Sequence, residues 1–216
     1  MDVELELLAR NFYGYGRWDA PYWFIGPEPG GGGNAERASA WINKFNRAEL
    51  CDCKDFHREI DEKRWHRATR KPQLQPTFRP LILLLKTFLN ETSDREAIRN
   101  YQRDHWGMIG GKTCVIELSG LAAKKKDPKK PAPFLKERID HICEMRRRHE
   151  PTFVVMYGVA EKEHWEKIAG CPLCPDVVVK RESTMFMFTS HPMAFGKKNS
   201  DWEELGRKLR QASGSL

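Results

Sequence analysis

The sequence predicts an α/β protein: a three-layer α/β/α sandwich with a central, mainly parallel four-stranded sheet, in a single domain over residues 1–216. Two observations carry this. The short apolar runs YWFIG, TCVIEL, TFVVMY and TMFMFT read as strands. Between them lie longer stretches with helical spacing, and strands that alternate with helices build a mainly parallel sheet.

The elements follow in order. Residues 4–12 have the spacing of a short helix. Tyr22–Gly26 is an apolar strand. Asn34 is placed to cap a helix running to about Leu50, with Ala38, Trp41, Ile42 and Phe45 on one face. Residues 51–75 are highly charged and carry no readable period. TFRPLILLLKTFL, Thr77 to Leu89, is apolar nearly all round and predicts a buried helix. Residues 93–104 predict another. Thr113–Leu118 is a strand. Phe134 to His149 is a long amphipathic helix, which Pro151 ends. Thr152–Tyr157 is a strand closed by Gly158, and residues 160–169 form a short helix. Val177–Val179 and Thr184–Thr189 are strands. Ser200 to Leu209 is the final helix, with Ser200 as cap and Glu203 at the capping-box position. Residues 28–34, which include four consecutive glycines at 30–33, and residues 123–133, rich in lysine and proline, are loops. No internal repeat is present.

Composition sets outer bounds. Hydrophobic residues make up 40% of the chain, enough for a core. Mean hydropathy is −0.67, and no apolar run reaches the length of a bilayer span. The opening MDVELELLAR lacks a basic segment followed by an apolar one, so no secretion signal is read and a cytoplasmic monomer is expected. In a reducing compartment the six cysteines are not expected to form disulfides. Two close pairs, Cys51/Cys53 and Cys171/Cys174, have the proximity that zinc or an iron–sulfur cluster uses. The C-x-C spacing is unusual and the pairs are far apart in the chain. They read more readily as small, semi-buried residues, and no metal or cofactor is assigned.

The net charge is +7, concentrated in AKKKDPKK at 123–130, MRRR at 145–148, GKK at 196–198 and RKLR at 207–210. This suits a polyanion such as nucleic acid, and it equally suits a solvated face. Seven tryptophans add aromatic side chains that can stack on bases.

In sheets of this kind ligands collect at the carboxyl ends of the strands. The first such end carries Glu28 between Pro27 and Pro29. The prolines stiffen the turn, and the glycines that follow allow close approach to the backbone. A carboxylate held there can orient a water or stabilise positive charge; the plain alternative is a connecting loop with Glu28 facing solvent. The last end carries His191, directly after a strand and stiffened by Pro192. A histidine there can donate to a developing oxyanion, or simply support structure. Phe195 follows, beside Gly196, Lys197 and Lys198. An apolar tip flanked by cations has the make-up of a side chain wedged into a stacked duplex.

GPEPG, Gly26 to Gly30, and His191-Pro192-Met193-Ala194-Phe195 resemble the two motifs of the uracil-DNA glycosylase superfamily. WEELGRKL at 202–209 is similar to the helix that follows the second motif, and LKERIDHICEMRRRHEPTFVVMYG at 135–158 to the family's helix and third strand. The resemblance covers about 22–50 and 113–210. It implies that Glu28 positions the attacking water and favours the oxocarbenium-like sugar, and that His191 stabilises charge on the base oxygen. It implies that Phe195 is the wedge, that Trp41 stacks on the flipped base, and that Gly26, Pro27, Pro29 and Gly30 clasp it. Ser190, Lys197 and Lys198 then contact phosphates. The family's second strand ends in an asparagine that reads uracil as both donor and acceptor. Glu117 stands there in this chain, and an ionised glutamate only accepts. The implied activity is a cofactor-free DNA glycosylase of base-excision repair, which excises uracil, hypoxanthine or xanthine from DNA. Two other classes stay open: a non-catalytic nucleic-acid-binding protein, and a nucleotide-processing enzyme whose Gly30–Gly33 run holds a phosphate.

Overall fold

A computed structural model describes residues 2–30, 33–60, 73–122 and 132–214. Gly31 and Gly32, residues 61–72 of the charged segment and the basic run 123–130 lie outside the described residues.

In chain order the elements are α1 (Val3–Asn11), β1 (Gly14–Tyr15), β2 (Tyr22–Gly26), α2 (Asn34–Lys44), β3 (Leu50–Cys51), α3 (Cys53–Glu59), α4 (Phe78–Phe88) and α5 (Arg95–Asp104). There follow β4 (Thr113–Glu117), α6 (Leu135–His149), β5 (Phe153–Tyr157), a 3-10 turn (Val159–Glu161), α7 (Lys162–Ala169), β6 (Val179–Arg181), β7 (Thr184–Thr189) and α8 (Asn199–Ala212). They form a mixed α/β fold around one central sheet flanked by helices.

Among the described residues the sheet has seven strands, not four, in the order β3-β1-β4-β2-β5-β7-β6. The four strongly apolar strands are its centre, β4-β2-β5-β7, and all are mutually parallel. The additional strands flank this centre, with β3 and β6 as the two edges. β1 runs antiparallel to β4, β3 parallel to β1, and β6 antiparallel to β7. β1 and β3 are two residues each, too short to leave an apolar run in the sequence. Gly14 makes the β1 pairing feasible. A Cβ there would sit 2.1 Å from the Val115 carbonyl oxygen, so only glycine can lie this close to β4.

Three helix ends differ from expectation. The second helix stops at Lys44, because Asn46 and Arg47 take positive φ (48° and 57°) and turn the chain back so that Leu50 and Cys51 join the sheet. Asn34 is the first residue of α2 rather than its cap. Its amide instead pairs with the Ala122 backbone, donating to the carbonyl at 3.0 Å and accepting from the N–H at 2.8 Å. The last helix is capped by Lys198, whose N–H donates to Asp201, and not by Ser200.

Alternating residues of the central strands fill two buried clusters. Phe24, Val115, Val155 and Met187 pack with side chains of α2, α3, α4 and α8. Trp23, Ile25, Ile116, Val154 and Phe186 pack with those of α6 and α7. This period of two is what a sheet buried on both sides requires. Among the described residues, no helix is long and apolar enough to cross a membrane.

Candidate functional site

The carboxyl ends of the central strands meet through backbone and ring contacts. β2 and β4 are in register at Gly26 and Glu117. Beyond the last pair, Leu118 N–H donates to Gly26 O at 2.8 Å and Ser119 N–H to Pro27 O at 2.9 Å, which stitches the Glu28 turn to the end of β4. Tyr157, the last residue of β5, lies over Gly26: a Cβ there would be 2.3 Å from its hydroxyl oxygen. The Tyr157 ring in turn packs edge-on against His191, with centroids 5.4 Å apart. A continuous path therefore runs from Glu117 through Gly26 and Tyr157 to His191.

Glu117 is 5% exposed. Burial pushes its carboxyl up to about 8; the Arg37 guanidinium opposes the shift, the Glu28 carboxylate adds to it, and Arg138 opposes it. At neutral pH it is mainly the neutral acid. It then offers an O–H donor and a carbonyl acceptor side by side, which corrects the expectation of an ionised group that only accepts. Its Oε2 has no hydrogen-bond partner among the described residues.

Arg37 faces the same space from α2. It is 4% exposed, and its guanidinium lies over the rings of Phe12 and Phe56 at 5.7 and 5.2 Å. The side chain reaches the Tyr15 hydroxyl, while Nε and Nη2 have no partner among the described residues. Burial raises the Tyr15 and Tyr157 hydroxyls, so both stay protonated. Buried polar atoms left unpaired are costly. An acceptor on Glu117 and donors on Arg37 thus stand ready for a ligand or an ordered water.

His191 has a fixed tautomer. Its Nδ1 accepts from the Met193 N–H at 3.1 Å, so the neutral ring carries its proton on Nε2. Burial lowers its pKa below the ordinary histidine value, which favours that neutral form at pH 7. Beyond it, Met193 and Phe195 are exposed, and Phe195 projects fully into solvent.

The remaining predicted site residues divide. Pro27 is half-buried, Pro29 is buried and Gly30 is exposed, all on the turn that carries Glu28. Ser190 is half-buried beside His191, and Lys198 is exposed at the start of α8. Lys197 is committed inside the protein: its Nζ pairs with Asp176 at 2.6 Å, the carboxylate that also accepts from the Thr189 hydroxyl. Trp41 is not brought to the strand ends. It is fully buried in the core, its indole N–H donating to Ala48 O at 2.7 Å and its ring edge-on to Phe12. The two cysteine pairs lie toward opposite edges of the sheet, Cys51 on β3 and Cys174 next to Pro175, which bridges to β7. They do not come together as one ligand set.

Two residues of the cluster went unread in the sequence, Tyr15 and Arg37, and Tyr157 was read only as the end of a strand. Arg37 did leave a trace, because it lies four residues before the apolar Trp41 and so on the buried side of its helix. Tyr157 ends an apolar run at a glycine. No family model matches the chain, and no curated protein matches it significantly.

Proposed function

We propose that this protein is a monofunctional DNA glycosylase, which takes a deaminated base out of the stack and hydrolyses its N-glycosidic bond. The observation that carries the reading is the path of contacts linking His191, from the far end of the chain, to Gly26, two residues before Glu28. The reading takes the molecule as a three-layer α/β/α sandwich that resembles the uracil-DNA glycosylase superfamily.

A base inside a duplex is out of reach, so the nucleotide must first leave the stack. Phe195, exposed at the loop tip, fills the gap. The Glu28 carboxylate orients a water toward C1′ and stabilises the positive charge that develops on the sugar. The C1′–N bond breaks, the water oxygen bonds to C1′, and the water proton passes to Glu28. The base leaves as an anion, and His191 Nε2–H donates to its oxygen. Neutral Glu117 donates to a ring carbonyl and accepts from the adjacent ring N–H. Uracil, hypoxanthine and xanthine all present that edge.

Oligonucleotides carrying each base test the reading, with base release scored as alkali-sensitive strand breaks. Release is expected for at least one. Glu28→Gln and His191→Asn are each expected to lower the single-turnover rate by roughly 10²–10³-fold while binding changes little. Full activity in both variants, or no release from any substrate, overturns the proposal. The burial of Trp41 favours one second reading, a non-catalytic nucleic-acid-binding protein. Salt-dependent retention on DNA with no base release selects it.

A further inference from the structure

We infer that the cavity between α4, α5 and the 192–199 segment binds the phosphodiester backbone of a nucleic-acid strand. The cavity has a volume of about 590 Å³, within the range of ligand pockets. Arg79 of α4, Arg95 and Arg99 of α5, and Lys197 line it, and among the described residues no aspartate or glutamate does. Arg95 and Arg99 are four residues apart and so project from the same side of α5.

Among the described residues, three of these cations lack a carboxylate partner. Lys197 is neutralised by Asp176. The arginines are not: Arg79 is tied to the neutral Asn199 Oδ1 at 3.4 Å, and the Arg99 Nε is buried with no hydrogen-bond partner among the described residues. None of the three forms an ion pair with a carboxylate among the described residues, whereas Arg103 on α5 and Arg207 on α8 do. Three positive charges around one cavity repel one another, and an anion relieves that repulsion. The guanidinium fork matches a pair of phosphate oxygens better than a point charge does.

Position favours a strand over a free ion. Pro192 and Met193 also line the cavity, directly after His191 and before the exposed Phe195. A backbone held by the arginines therefore passes beside the strand-end cluster. This inference shares the nucleic-acid partner of the reading above but does not depend on its chemistry.

Fluorescence anisotropy of an undamaged, labelled oligonucleotide, titrated at several salt concentrations, tests it. The double variant Arg95→Gln/Arg99→Gln is expected to bind at least tenfold more weakly at about 0.1 M salt, and to reduce the slope of log K against log salt by about two. Gln73→Glu, which adds an acid to the lining without removing an arginine, is expected to weaken binding in the same direction. Arg147→Gln/Arg148→Gln on α6 is expected to stay within about twofold of wild type. The inference is overturned if the double variant and Gln73→Glu both keep wild-type affinity and slope. It is also overturned if inorganic phosphate displaces the oligonucleotide at equal concentration, since the cavity is then a small-anion site. Should the double variant melt early, Gln73→Glu decides. Base release at saturating DNA separates the two readings. A wild type that releases no base, with binding lost in the double variant, removes the glycosylase and keeps the cavity; active wild type with unchanged binding does the reverse.

Discussion

Arg37 and Arg138 are both buried, and both act on Glu117, yet they are built differently. Arg138 spends its donors on backbone carbonyls: Nε on Leu118 at 2.6 Å, Nη2 on Glu117 at 2.7 Å, and Nη1 on Ala9 and Arg10 at 3.0 and 3.2 Å. Its guanidinium also lies 4.2 Å from the centroid of the Tyr13 ring. It ties the end of β4 to the end of α1. Arg37 faces the Glu117 side chain instead, and leaves two nitrogens without a partner among the described residues. A buried arginine with its donors satisfied is scaffold, because each bond offsets part of the desolvation cost. One with unused donors carries a penalty that a bound group can relieve. The pair teaches that burial alone does not distinguish support from site, whereas a count of unmet donors does.

The largest effect should come from breaking the scaffold member. Arg138→Met orphans carbonyls on two elements and is expected to cost on the order of 4 kcal/mol, read as a fall in the urea midpoint. Burial already lowers the Arg138 pKa to about 10, so the folded state holds this cation at a cost that its bonds must offset.

The second test moves Glu117. Its folded pKa, about 8, lies above its ordinary value of 4.5, so between those limits the folded state keeps a proton that the unfolded chain releases. Its contribution is fully present below about pH 4.5, is lost as pH rises toward 8, and levels off above. Glu117→Gln is expected to remove that decline, measured as urea midpoints at pH 5, 6.5 and 8. His191 runs the other way: its lowered pKa gives a contribution present above its ordinary value of 6.5 and lost as pH falls. A variant that keeps the full wild-type decline would place the proton elsewhere.

The smallest effect on stability should come from the poised member. Arg37→Met removes unpaired donors together with the charge, and is expected to change stability by less than about 1 kcal/mol. If it destabilises as much as Arg138→Met, the distinction between the two arginines fails.

The parallel centre of the sheet was legible because its strands are continuous apolar runs. β1 was not: it lies in FYGYGR, where glycines on both sides look like a turn, and the reason for Gly14 is a backbone approach visible only in three dimensions. The positions of Glu28, Glu117 and His191 at strand ends were legible from the same runs. The protonation of Glu117 was not, since it rests first on burial at the end of β4, to which the Glu28 carboxylate adds and which Arg37 opposes, each arriving from a separate segment. Trp41 failed as a site residue because its helical face, correctly read as apolar, points into the core.

The double hydrogen bond between the Asn34 amide and Ala122 has a mechanical meaning. It rivets the first turn of α2, three residues before Arg37, to the chain that leaves Glu117 five residues earlier. The backbones that carry the guanidinium and the carboxyl are thus mounted on one chassis.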